Sequence, residues 1–351
     1  MREYGDLKRV IVGVDNFEKT KLVDKTIKLF FKDNLNDYYL SDYFSKYEIS
    51  EKIIEQRQHD LDNLANVLSQ NNIEVLRPNV CKKMKPVTAP DFKSIMYSNS
   101  NVRDLCIVIQ DIIICSFSSV RSRFFENQLL YDILIQEIKN GRKVLTPPLP
   151  TVSLSKIDKE DWREFESFDD KLYDDYEILF DCANCIKVTD NDIIMNVTNK
   201  NSYNGYKWLI SVLPPSIKVY PVTLCDNHID GTILPIREGV FIANTCFLNK
   251  DLRDYLPSKF KNWKIINSND KKYDKNIYDR DVLDIPQLAS WEGIDQNVLS
   301  ISDDTIVCQD TLNHCLDELY DNGFNVIPIK FRHGNLFGGG IHCSTLDLDR
   351  L

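Results

Sequence analysis

The sequence predicts an α/β fold in which five units of ββαβ type pack around a common axis, forming one domain over residues 1–351. Three observations carry this expectation. The order strand, turn, strand, helix, strand recurs along the chain. No Pro/Gly/Ser-rich linker or low-complexity stretch divides it. Such units cannot each bury both of their apolar faces alone and do so by stacking on one another. An open doubly wound sheet is the alternative that the pattern leaves standing.

The units follow in order along the chain. The loosest has a strand at Arg9–Val14 and a helix at Ser50–Gln70, with Ile54, Leu61, Leu64 and Leu68 on one face; Ile73–Leu76 closes it. The next begins with a tight hairpin, Leu105–Ile109 and Ile112–Cys115 about Gln110-Asp111. A long helix is expected over Ser122–Asn140, with Phe125, Leu129, Leu130, Ile133 and Leu134 on its apolar face. Gly141 ends it, and Lys143–Leu145 returns as a strand. The third unit is Cys185–Val188, Ile193–Val197, a helix near Tyr203–Leu213 and the strand Ile217–Val222. The fourth is Thr232–Ile236, Val240–Asn244, a helix near Lys250–Leu256 and the strand Trp263–Asn267. The fifth is Val298–Ser302, Thr305–Cys308, a helix at Leu312–Tyr320 and the strand Phe324–Ile329. The long stretches Thr146–Asp175 and Ser268–Asp295 read as functional loops or lids.

Composition narrows the function. There are 43 Lys+Arg against 53 Asp+Glu, a net charge of -10. That balance argues against a nucleic-acid or anionic-membrane partner, whose footprint is basic. No run approaches the ~18 apolar residues of a membrane span. The opening MREYGDLKRVIVG lacks the apolar core of a signal peptide, so a cytoplasmic location is expected. Ten cysteines are too sparse for a disulfide-stapled scaffold, and most should be free thiols. A lone C-x-x-C (Cys182 and Cys185) and five histidines give no zinc-ribbon spacing, so neither a metal nor a cofactor is expected.

Five short segments could carry chemistry. Gly338-Gly339-Gly340-Ile341-His342-Cys343-Ser344 puts glycines before a cysteine, where backbone can approach a ligand and a neighbouring charge or amide can activate the thiol. Taken alone, it equally describes a flexible loop beside a buried cysteine. His228-Ile229-Asp230 places a base and a carboxylate two apart on an extended segment, facing the same way; a surface histidine is the plainer alternative. Asp181, after an apolar stretch, could orient a histidine or simply form a turn. The segment from Tyr97 to Asp104 precedes a buried strand and reads otherwise as a solvated loop. Arg121–Glu126 (RSRFFE) opens the expected helix, and its basic residues could merely meet solvent or surface carboxylates.

In this order along nearly the whole chain, these pieces resemble the arginine:glycine amidinotransferase family of the guanidino-modifying (pentein) superfamily. The matching segments are Leu7–Gly13 (LKRVIVG), Pro90-Asp91-Phe92, Arg103-Asp104, RSRFFE, Phe180-Asp181-Cys182-Ala183, His228-Ile229-Asp230 and GGGIHC at Gly338–Cys343. The Phe-Asp-x-Ala form favours the amidinotransferase branch over the deiminase branch. The resemblance implies a five-bladed α/β propeller. It implies Cys343 as nucleophile, His228 as general acid and base, and Asp181 as its carboxylate partner. Asp104 and Asp230 would grip the guanidinium, with Tyr97, Arg103 and Arg123 as further substrate-binding residues. The implied substrates are small molecules, L-arginine and an acceptor amine; a homodimer is compatible with the resemblance. A deiminase-like hydrolase releasing citrulline and a non-enzymatic binding protein on the same fold are the competing expectations.

Three departures from the family's pattern bear on the site. Asn184 stands where a second Asp is common. Glycine-using members carry an Arg in an Asn-Pro-Asp-Arg segment, where this chain reads Asn244-Thr245-Cys246-Phe247, and a Ser-Ser pair that here becomes Ser290-Trp291. A guanidinium is the natural carboxylate clamp, so its loss points to an acceptor larger or less carboxylate-dependent than glycine, unless Arg123 or Arg332 takes its place.

Overall fold

The runs Cys106–Ile109 and Ile112–Cys115 are buried at every position, as expected of strands covered on both faces. They pair antiparallel, and the second pairs in parallel with Lys143–Leu145. In the computed structural model, which describes residues 2–15, 20–23, 26, 45–48, 50–80, 85–96, 99–153, 168–225, 228–245, 248, 250–269, 294–334 and 336–351, this three-stranded sheet occurs five times. The next three blades are Cys185–Lys187 with Asp192–Asn196 and Lys218–Val222, Ile233–Arg237 with Val240–Ala243 and Lys264–Asn267, and Leu299–Ser300 with Thr305–Gln309 and Asn325–Ile329. In each, the first two strands are antiparallel and the last is parallel to the second. The connection between those parallel strands contains a helix. Apolar clusters fill the space between successive blades; one joins strands and helices from three of them. The five-bladed α/β propeller expected from the sequence is the fold observed.

The remaining blade joins the two ends of the chain. Leu7–Val12 pairs in parallel with Glu74–Leu76 and antiparallel with Thr345–Arg350. The C-terminal strand therefore supplies the first strand that the N-terminal unit lacks in the sequence. Leu346 and Leu348 face a core with Ile11, Val102 and Cys106. The helix of this blade, Glu51–Gln70, buries Ile53, Ile54, Leu61, Leu64 and Leu68 along one stripe.

Two helices are shorter than expected. Residues 122–140 do not form one α-helix: Arg121–Arg123 and Glu126–Leu130 are 3-10 turns, and only Tyr131–Lys139 is α-helical. Side-chain demands override helical periodicity there. Phe124 packs against Phe92, Phe117 and Phe125, Arg123 reaches Asp104 and Glu126, and the Asn127 amide donates to the Ser116 carbonyl at 2.8 Å. The helix near Lys250–Leu256 is a single turn, Leu252–Tyr255. Of the two expected loops, residues 154–167 and 270–293 lie outside the described residues. Among the described residues no helix is long and apolar enough to cross a membrane, and eight cysteines carry free thiols.

A buried ion cluster ties three blades together. Arg103 donates to Glu3 at 3.0 Å, to Asp347, and to the carbonyls of His342 and Thr345 at 3.0 and 2.8 Å. Lys187 and Arg350 also reach Asp347, at 3.2 and 2.9 Å. Burial alone would raise the carboxyl of Glu3, but Lys187 and Arg103 outweigh it and hold the group down at about 2. Replacing Arg103 by Met strands Glu3 and Asp347 beside too few cations. Urea unfolding should then show a loss of about 3–5 kcal/mol, the usual cost of breaking a buried ion network from one side. A loss below about 1 kcal/mol would mean that the cluster is not what joins these blades.

Candidate active site

The same place in each blade, the turn just before its first strand, carries a polar or reactive side chain. Asp104 ends the 3-10 turn Val102–Asp104 before Cys106–Ile109. Asp181 precedes the turn Cys182–Asn184. His228 and Asp230 flank the start of the turn Ile229–Gly231. Asn297 closes a turn back to Ile294, and Cys343 stands two residues before Thr345–Arg350. Because the first strands of neighbouring blades pack together, these positions gather at one end of the ring.

The structure brings Cys343, His228, Asp181, Asp104 and Asp230 within electrostatic reach of one another. His228 Nε2 lies 2.8 Å from Asp181 Oδ2, and its Nδ1 lies 3.5 Å from Asp104 Oδ1. The thiol of Cys343 donates to Asp230 Oδ2 at 3.3 Å. Asp230 Oδ2 also meets His342 Nδ1 at 2.9 Å, and His342 Nε2 lies 3.4 Å from Glu3 of the ion cluster. Among the described residues, Asp104 Oδ1, Asp181 Oδ1 and Asp230 Oδ1 are buried with no hydrogen-bond partner. Buried carboxylate oxygens in that condition await donors, and a planar guanidinium supplies up to five.

The electrostatics follow from that crowding of carboxylates. Burial alone would depress the imidazole of His228, but Asp104, Asp181 and Asp230 outweigh it and raise the group to about 9. Burial and the charges of Asp230 and Asp104 push the thiol of Cys343 well above its ordinary value of 9.0. Without a ligand the site thus holds a protonated histidine and a protonated thiol at neutral pH. Burial likewise raises Asp104, although Arg123 and His228 oppose it. Burial would also raise Asp230, but His342, His228 and Cys343 bring it below its ordinary value.

The other expected residues are placed as follows. Arg103 lies beneath the site, its guanidinium spent on Glu3, Asp347 and two carbonyls. Arg123 pairs with Asp104 and Glu126 and donates to the Asn101 carbonyl at 3.2 Å. Arg332 is held by Asp60 of the Glu51–Gln70 helix, with contacts of 2.6 and 3.0 Å. Tyr97, Phe247, Ser290 and Trp291 lie outside the described residues. Among the described residues no group of three His, Cys, Asp or Glu side chains could hold a metal ion.

Two asparagines also belong here: Asn101, within the Tyr97–Asp104 segment but given no role of its own, and Asn297, which no motif marks. Asn101 donates to the Phe337 carbonyl at 3.0 Å and lies against Gly339, where a Cβ would come within 2.6 Å of it. Asn297 touches Cys343 itself. The signal that could have found Asn297 is the pseudo-symmetry: like Asp104 and Cys343, it stands two residues before the first strand of its blade.

No family model matches the chain. Curated relatives include the mitochondrial glycine amidinotransferase of Gallus gallus, 26% identical over 302 residues, covering 83% of this chain and 68% of that one. The L-arginine:L-lysine amidinotransferase of Pseudomonas savastanoi pv. phaseolicola is 26% identical over 303 residues, covering 85% and 79%. Among solved structures, inosamine-phosphate amidinotransferase from Streptomyces griseus superposes with a TM-score of 0.81 at 23% identity, covering 99% of this chain and 95% of that one. The amidinotransferase resemblance read from the motifs is borne out by these relatives, and the fold by the superposition.

Proposed function

We propose that this relative of the amidinotransferases takes the amidino group of L-arginine onto Cys343 and passes it to an acceptor amine. The observation that carries the reading is the set of buried, unbonded oxygens on Asp104, Asp181 and Asp230 around a thiol and a protonated histidine. A cationic, multiply donating ligand suits them, and one of the curated relatives is named for L-arginine.

The steps use the residues as placed. Asp104 and Asp230 fix the guanidinium through charge-assisted hydrogen bonds. Its positive charge offsets the carboxylates that hold the thiol protonated, so the proton on Sγ is released to solvent as the substrate enters. The thiolate attacks the guanidinium carbon. The bond from that carbon to the chain nitrogen breaks, and protonated His228 gives its proton to the departing amine of ornithine. Asp181 keeps the imidazole oriented and favours its charged form. Cys343 now carries a cationic amidino group. The acceptor amine attacks it, neutral His228 takes the amine's proton, and the thiolate is expelled. Protons and charge balance in each half, and no metal or cofactor enters either.

The acceptor belongs to the same proposal. Arg123 and Arg332, the expected substitutes for the missing clamp, are both committed, Arg123 to Asp104 and Glu126 and Arg332 to Asp60. This supports an acceptor that is larger or less carboxylate-dependent than glycine. Arginine without acceptor should leave a mass increment of one carbon and two nitrogens on Cys343. Adding a panel of amines should discharge it with ornithine as coproduct, glycine being at least about tenfold poorer in kcat/KM than the best amine, roughly 1.4 kcal/mol. Citrulline as the product, or no adduct together with intersecting kinetic lines, would overturn the transfer mechanism. Preference for glycine would overturn the acceptor assignment alone.

A further inference from the structure

Around the sulfur of Cys343 the described contacts pull in opposite directions. Asp230 Oδ2 accepts from the thiol at 3.3 Å and resists its ionisation. Asn297 Nδ2 lies 3.1 Å from Sγ and donates to it. The other end of the same amide, Oδ1, accepts from the backbone N–H of Cys343 at 2.9 Å. That second bond settles which way the amide faces: a flipped side chain would set its NH2 against the N–H of Cys343 and its oxygen against the sulfur. The Asn297 carbonyl also accepts from the N–H groups of Ile341 and His342, at 3.1 and 3.2 Å. One residue therefore grips three consecutive residues of the nucleophile turn. The glycine run makes room for it, since a Cβ on Gly340 would come within 2.8 Å of Asn297 Cβ and Oδ1.

We propose that Asn297 is the fifth blade's contribution to catalysis: its amide donates to the sulfur of Cys343, stabilises the thiolate and fixes the line of attack. The proposal rests on the amidinotransferase reading for the reaction, but not for the property of the thiol. Nδ2 also lies 3.3 Å from the Asp230 carbonyl and 3.5 Å from Asp230 Oδ2. The amide is thus already anchored between the nucleophile and a guanidinium-binding carboxylate, and needs no reorganisation when charge develops on sulfur. A neutral donor suits this place because a cation here would compete with the substrate's guanidinium for Asp230.

Asn297→Asp tests this at constant shape. It keeps an oxygen to accept from the N–H of Cys343 and replaces the donor facing sulfur. Alkylation of Cys343 by iodoacetamide, followed on its own peptide by mass spectrometry across pH, should move upward by about one pH unit or more. This corresponds to a tenfold or larger fall in rate at pH 8. kcat should fall with it, while KM for arginine changes by less than about threefold. Gly340→Ala, which crowds the amide off the sulfur, should displace the profile the same way and serves if the first variant does not fold. An unchanged alkylation profile in folded Asn297→Asp would overturn the proposal. Alkylation needs no arginine, so a wild-type protein that forms no ornithine would sink the amidinotransferase reading and leave this result standing.

Discussion

Replacing Cys343 by Ser should lower arginine turnover by about 10⁴-fold or more while arginine still binds. A hydroxyl lacks the nucleophilicity of a thiolate, and knocking out the nucleophile of a covalent mechanism removes nearly all of its advantage. The carboxylates proposed to hold the guanidinium remain, so arginine should still raise the unfolding temperature of the variant in proportion to its occupancy. In the wild type, brief alkylation should abolish activity and arginine should protect. Single-turnover ornithine release measures the first effect. Retention of more than about a tenth of wild-type activity in Cys343→Ser would show that another group carries the amidino transfer.

The second large effect is expected at His228. Its replacement by Asn should slow both half-reactions by about 10²–10⁴-fold, because one residue acts first as acid and then as base. The same substitution should change the stability profile. Asp104 and Asp181 hold the folded imidazole at about 9 against burial, above its ordinary 6.5. A raised group stabilises the fold in full below 6.5, and that contribution is withdrawn as pH climbs through about 9. Wild-type protein should therefore lose stability across that window, and His228→Asn should lose less. Urea midpoints at pH 6 and pH 9.5 test it. Equal losses in both proteins would place the slope elsewhere, and equal rates of ornithine release would remove His228 from the mechanism.

Much of this was legible in the sequence. The hairpin Cys106–Ile109 and Ile112–Cys115 shows itself by two apolar runs about Gln110-Asp111, and Glu51–Gln70 by its stripe of Ile and Leu. The residues now gathered around Cys343 stand out because a His, a Cys and several Asp lie beside strand starts. What escaped depends on partners far away in sequence. Thr345–Arg350 alternates Leu with charge and reads as a surface edge, yet Asp347 is fully buried because Arg103, Lys187 and Arg350 converge on it. Residues 122–130 have helical spacing, but Arg123 and Asn127 serve tertiary contacts that a regular helix would not reach. Asn297 carries no charge and no motif, and only the repeat of its position marks it.

The pairing of Leu7–Val12 with Thr345–Arg350 has a consequence for how the protein acquires its reactivity. Arg9 and Asp349, which meet across that seam, are 340 positions apart in sequence. Joining them carries the largest loop-closure entropy in the fold and is the natural late step in assembly. Cys343 sits two residues before the closing strand. Until that strand docks, the thiol has neither the carboxylate of Asp230 nor the amide of Asn297 against it. A partly folded chain thus carries an ordinary cysteine, and the buried thiol that Asp230 and Asp104 hold protonated arises in the same event that seals the ring.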